Sequence, residues 1–255
     1  MNRLIALSIA SLFACSAADD TGSSNDALVD GADTAQNQAS LVVATASGAT
    51  FVTDSSASAQ AAASAVAASV TPPSCLTEST VANVVTYTFA DCSGAYGLVH
   101  ATGVITATYK PSLTEVDVTL ASTGFQINSA SIDLDVQVVY TESGGTSQMA
   151  ITSSSSGTGS RKQTVSVTGA YDVTWNPTTS CVALSGKWST MAAAATWSTT
   201  ATSFEECAGS CPAAGGSLAF TASAGRSVTI SYDGSSTAEV SDGVGKSVPV
   251  PLVCP

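Results

Sequence analysis

The chain has 255 residues and a formal net charge of -12, with only seven Lys and Arg against nineteen Asp and Glu. So few cations leave nothing to neutralise a phosphate backbone, which excludes nucleic acid as a partner, and anionic membrane surfaces are equally unattractive. Apolar residues make up 44% of the chain, enough for one large domain or two small ones, but much of that share is alanine, which buries little area per residue.

Arg3 gives a small positive start, and Leu4 to Phe13 form an apolar run too short to span a bilayer, the pattern of an export signal over residues 1–14. At its end, Leu12-Phe13-Ala14-Cys15 resembles the lipobox of bacterial lipoproteins. There, a leucine three before the cysteine and a small residue just before it precede lipidation of the thiol and cleavage ahead of it. Phe13 departs from the small or β-branched residue usual in that motif. The resemblance implies lipidation of Cys15 and a membrane partner through that lipid. An ordinary secretory signal cut after Cys15, with Ala17 as the small residue, is the competing reading.

Either cut leaves six cysteines, Cys75, Cys92, Cys181, Cys207, Cys211 and Cys254, and an even number in an exported chain predicts three disulfides. Zinc is the competing use of clustered cysteines. Cys207 and Cys211 are spaced C-x3-C, no C-x2-C pair exists and His100 is the only histidine, so no metal site is expected. Cys75 and Cys92 flank one strand-length segment and are paired with each other, which leaves Cys181, Cys207, Cys211 and Cys254 for the other two links.

Residues 15–53 read as an acidic, low-complexity tether: Asp19, Asp20, Asp26, Asp30 and Asp33 carry charge, and residues 16–40 hold no basic residue. Such a segment cannot bury enough apolar area to offset its ordering entropy, and its like charges keep it extended. Within it, "ASLVVATASGATF" fits helix and strand equally. Asp54 or Ser55 can cap an Ala-rich helix over residues 54–71 that Pro72-Pro73 ends, as a stalk or as a lid on the following domain.

From residue 75 to 255 the pattern alternates with a period of two, the mark of half-buried antiparallel strands. Val165, Val167, Gly169, Tyr171, Val173 and Trp175 share one face, and Ile132, Leu134, Val136, Val138 and Tyr140 another. Shorter runs are Val85 to Phe89, Ile105 to Tyr109, Val116 to Leu120 and Val228 to Tyr232, with turn signals at Gly144-Gly145, Asn176-Pro177, Gly215-Gly216 and Asp233-Gly234. The fold class is therefore all-β: an antiparallel meander of roughly nine to twelve strands, packed as a sandwich or as a strongly curved or barrel-like sheet. In "SVPVPLV", Pro249 and Pro251 both lack an N–H toward the same neighbour, which predicts an edge strand.

Taken with the lipobox and the acidic spacer, "VTYTFADCSG" followed by "HATGVITATY", and "CPAAGGSLAF" followed by "SVTISYDGSSTAEV", make the chain resemble predicted β-rich bacterial lipoproteins of the myxobacterial type. That resemblance covers most of the mature chain and implies a cell-envelope, outer-membrane-anchored protein facing the periplasm or the surface. It carries no known activity and no catalytic residue. Ser16, in place of the aspartate that retains lipoproteins at the inner membrane of some enteric bacteria, agrees with the outer membrane.

Catalytic chemistry finds little footing. His100 is the sole imidazole, and no G-x-S-x-G elbow, H-E-x-x-H helix or phosphate-cradling glycine loop occurs. Asp133 and Asp135, two apart on a strand, share a polar face where they suit solvated charges better than an acid-base pair or a calcium site; Glu205 and Glu206 are a loop pair of the same ambiguity. No catalytic residue and no cofactor is assigned. The expected role is a non-enzymatic structural or interaction lipoprotein that meets envelope proteins or glycans through its Ser/Thr face. A lipophilic-ligand carrier with an apolar cavity is the alternative, and a hydrolase a remote one. A transmembrane barrel is disfavoured by the scarcity of aromatics for interfacial girdles.

Overall fold

The computed structural model describes residues 49–252 apart from 69, 94–99, 177, 180, 208–209, 224 and 226. The export signal, Cys15, most of the tether and Cys254 lie outside the described residues.

Helix α1 spans Ser55–Ala67. Asp54 caps it, its carboxylate accepting from the backbone N–H of Ser56 at 2.9 Å and of Ala57 at 3.3 Å. The helix ends at Ala67, ahead of the prolines, and a single 3-10 turn at Pro73–Cys75 leads into the sheet. Ala59, Ala62, Ala63 and Val66 form one buried stripe at helical spacing, and α1 lies against the first three strands. Alanine has no bulk to hold the helix away, so the backbones approach closely. The stretch before α1 also joins the core: Ala49 is buried, and Phe51 packs on Tyr140 with ring centroids 4.8 Å apart.

The strands are β1 Leu76–Val81, β2 Val84–Ser93, β3 His100–Pro111, β4 Glu115–Ser122, β5 Phe125–Ile127, β6 Ala130–Asp133, β7 Asp135–Ser143 and β8 Thr146–Thr158. They continue as β9 Thr164–Asn176, β10 Cys181–Ala192, β11 Ala195–Cys207, β12 Ser217–Ala222, β13 Ser227–Tyr232, β14 Thr237–Asp242 and β15 Ser247–Pro251. All fifteen join one antiparallel sheet, curved into a ring-like shape: thirteen run in the order β1-β2-β3-β4-β7-β8-β9-β10-β11-β12-β13-β14-β15, and off that path β5 pairs with β3 and β6, and β6 with β8. The all-β meander with an N-terminal helix is thus as the alternation predicts, in its strongly curved form.

Fifteen strands exceed the expected nine to twelve, and part of the excess is interruption. Asp133 stands opposite Ser156 and Val136 opposite Ser153, so β6 and β7 keep one register along β8 and break only at Leu134. Between β4 and β5 the register on β3 slips by one residue, a bulge around Gly124, which has φ 63°. Short strands such as β1 and β14 also carry little alternation to read. The Gly144-Gly145 turn, with φ of 60° and 79°, closes the β7–β8 hairpin as the sequence signals.

Curvature is built at glycines. Gly169 faces Trp188 and Gly186 faces Tyr171 across β9 and β10, each glycine lying close against the Cα and Cβ of the aromatic residue opposite. Gly186 has φ 136°, and the β10–β11 register shifts beside it, a bulge that bends the strand.

The inner face holds the core. Ile105, Leu120, Ile132 and Ile151 are almost fully buried, each stabilising the fold by about 1.5–3 kcal/mol. Tyr140 stacks on Trp175 at 5.6 Å, and the buried hydroxyls of Tyr87 and Tyr109 hydrogen-bond at 3.0 Å. A smaller cluster of Val165, Val167, Ala192 and Trp197 sits toward one end of β9, β10 and β11. Val228 departs from its expected inner position and is 40% exposed, because its neighbours are the half-buried Phe220 and Asp242 near the strand ends.

The outermost strands are β1 and β15. Leu252 donates its N–H to the Ser236 carbonyl at 2.8 Å, so alternate residues aim inward and Pro249 and Pro251 face the free side. The expected edge strand is therefore present, and its outer side lacks two donors.

Candidate functional site: a hydroxyl-lined outer face

Alternation that buries one set of side chains leaves the other in water, and here that other set is mostly Ser and Thr. The register aligns them across strands. Thr108, Thr119, Gln137 and Thr152 stand side by side on β3, β4, β7 and β8, and the row continues through Ala170 and Lys187 to Thr200 on β11, then through Ala219 to Thr229 on β13. A parallel row runs through Ser154, Thr168, Ser189, Ser198, Thr221 and Ser227. Each hydroxyl offers one donor and two acceptor sites on a shallow surface with few charges. Such a face suits many weak, repeated polar contacts rather than the convergent geometry of catalysis.

Two shallow, open grooves lie on this side. One of about 320 Å³ is lined by Val104, Thr106, Ala121, Ser122 and Thr123, and one of about 250 Å³ by Ser189, Thr196, Ser198 and Thr221 among others. Neither is an enclosed apolar chamber.

His100 opens β3 as expected, and its Nδ1 lies 2.9 Å from the Asp91 carboxylate. The backbone holds both partners: Asp91 donates its N–H to the Thr102 hydroxyl, and His100 donates its N–H to the Asn128 side-chain oxygen at 2.9 Å. A carboxylate on Nδ1 is how a catalytic imidazole is oriented. Here the side chains are 52% and 77% exposed, and Asp91 is the ring's hydrogen-bond partner among the described residues, so no nucleophile is aligned.

Asp133 and Asp135 flank the buried Leu134 and are both exposed, but they do not act as a pair. Asp133 accepts from the N–H of Gly124 and secures the β4–β5 bulge, whereas Asp135 stands opposite Ala121. Glu205 and Glu206 require a correction: they lie in β11, not in a loop, because the strand continues to Cys207. They therefore point to opposite faces. Glu206 turns inward, where burial holds its carboxyl above the ordinary carboxylate range; burial also raises the Tyr232 phenol, and the Glu206 charge adds to that.

The cysteines form the expected Cys75–Cys92 bond, with Cα atoms 5.1 Å apart, and a second bond joins Cys181 to Cys207. Cys211 is disulfide-bonded as well. Glu205 projects beside Cys181 and Cys207, the three ligand-type atoms lying within 4.8 Å of one another. Sequence reasoning named all three residues without joining them; the two-residue spacing of Glu205 and Cys207, once placed on a strand, is the signal that could have done so. No protein-family model matches the chain, and comparison with curated proteins and with solved structures finds no match.

Proposed function

We propose that this chain is an exported, lipid-anchored protein of the bacterial cell envelope, held through Cys15 at the outer membrane. Its β domain is a non-enzymatic interaction module that meets envelope proteins or glycans. The observation that carries the reading is the hydroxyl-rich outer face, where one row is unbroken from Ser154 to Ser227 and its neighbour, from Thr108 to Thr229, is interrupted only by Gln137, Ala170, Lys187 and Ala219. Hydroxyls at regular strand spacing match the repeating donors and acceptors of a glycan or of a polar protein surface. The disulfides agree with an oxidising, extracytoplasmic compartment.

Two measurements test this. Replacing Cys15 by Ser moves the full chain from membranes to the soluble fraction; identical partitioning of variant and parent removes the anchor. Changing Thr119, Thr152 and Thr200 together to Lys abolishes co-purification of the envelope protein or glycan held by the parent in its own cells, with the fold intact. Retention of that material by the folded triple variant overturns the assignment to this face, and a stoichiometric non-covalent lipid in native mass spectra favours a carrier instead.

A further inference from the structure

Cys181 opens β10 and Cys207 closes β11, and the register sets them directly opposite each other with Cα atoms 3.9 Å apart. Glu205 precedes Cys207 by two residues on the same strand, so the strand period carries its carboxylate to the same outer face. Two sulfurs and a carboxylate oxygen, all within 4.8 Å of one another, are a donor set suited to a borderline-soft divalent cation such as zinc. In the disulfide the sulfurs are not thiolates and do not serve as such ligands.

We propose that reduction of the Cys181–Cys207 bond converts this hairpin end into a zinc site formed by the two thiolates and Glu205. The reductant is a dithiol, a small molecule or a protein. One of its thiolates attacks a protein sulfur to give a mixed disulfide, and its second displaces the protein thiol, so the reductant leaves as a disulfide and the protein keeps two thiols. Zinc then displaces two protons from those thiols and takes the Glu205 carboxylate as third ligand and a water as fourth.

Two features single out this pair. Cys75 and Cys92 are buried at 6% and 1% exposure, whereas Cys181 and Cys207 are only partly covered, so an attacking thiolate reaches the latter first. The ligands also stay aligned after the bond opens. Backbone pairing of Val182 with Glu206, Ala183 with Glu205 and Leu184 with Phe204 does not depend on the sulfurs, and Ala213 donates its N–H to the Glu205 carbonyl at 2.7 Å.

The test is zinc titration of the full chain against a chromophoric chelator, before and after treatment with a mild dithiol. The expected result is no zinc bound by the oxidised chain and one zinc per chain after reduction. Affinity in the reduced state falls ~10-fold or more in Glu205→Gln, by analogy with the loss when a metal site is disturbed, while Cys75→Ser/Cys92→Ser and Cys211→Ser keep the site. Glu205→Gln leaves all sulfurs in place and so reads the ligand rather than the fold. A reduced chain that binds no zinc, a Glu205→Gln variant that binds as tightly as the parent, or zinc lost in Cys211→Ser overturns the proposal.

Discussion

Gly169 and Trp188 face each other across β9 and β10 with no space for one more carbon between them. A Cβ on Gly169 would stand 2.5 Å from both Cα and Cβ of Trp188, a contact that no rotation of the tryptophan side chain relieves. Gly169→Ala must push the strands apart where the sheet curves, and is expected to destabilise by about 1–3 kcal/mol. Urea unfolding measures this directly. Gly144→Ala is the control, since its turn position has no atom within 4 Å and the change meets only the φ 60° backbone. Equal midpoints for Gly169→Ala and the parent would show that the approach is not close.

The buried Tyr87 and Tyr109 hydroxyls support a double-mutant cycle. Tyr87→Phe removes the partner that the Tyr109 hydroxyl meets at 3.0 Å, a loss of about 1–3 kcal/mol, while the double Phe variant loses less than the two single changes added together. Burial also pushes Tyr87 from 10.0 up to about 12 and Tyr109 higher still. The folded chain thus retains phenolic protons that the unfolded chain releases. Their contribution is fully present below pH 10, and that of Tyr87 is lost as the pH rises through about 12, that of Tyr109 higher still. Above pH 10 the unfolding midpoint should decline, less steeply in the double Phe variant; an unchanged slope in that variant would refute the assignment.

Much of this architecture is legible in residue order because one physical variable, burial on one face of a strand, governs it. Ile132, Leu134, Val136, Val138 and Tyr140 alternate in the sequence and are all buried on the inner face. The break at Leu134, the slip beside Gly124 and the Gly169–Trp188 approach depend instead on how neighbouring strands fit, which no single run encodes. Glu205 and Glu206 read as a loop for a related reason: two adjacent carboxylates resemble one until pairing with Ala183 and Val182 extends the strand through them. The hydroxyl face is visible as alternation, but its rows across strands exist only once register is set.

The Cys75–Cys92 bond ties the turn that follows α1 to β2 and closes a span of 17 residues. In the chain-entropy account a loop of that size is worth about 3 kcal/mol, through fewer conformations of the unfolded chain. Replacing both cysteines by Ser should lower stability by about that amount, read as a lower denaturant midpoint. A loss far below 1 kcal/mol would mean that the unfolded chain is already constrained there.

The two prolines of β15 make a prediction about association rather than stability. Pro249 and Pro251 stand opposite Glu239 and Thr237, and their nitrogens face away from β14, where an N–H would otherwise invite another strand. At the other edge, Glu78 sits opposite the buried Tyr87 and sets a charge on the inner side of β1, a second obstacle to strand addition. Replacing both prolines by Thr restores two donors to a free edge that already carries the exposed Val248, and leaves every β14 hydrogen bond in place. The variant should keep the parent's circular dichroism yet self-associate with rising concentration in sedimentation velocity, and adding Val248→Lys should reverse that association by placing a charge on the new edge. Monomeric behaviour of the Thr variant at every concentration would mean that the prolines serve only to shape the backbone.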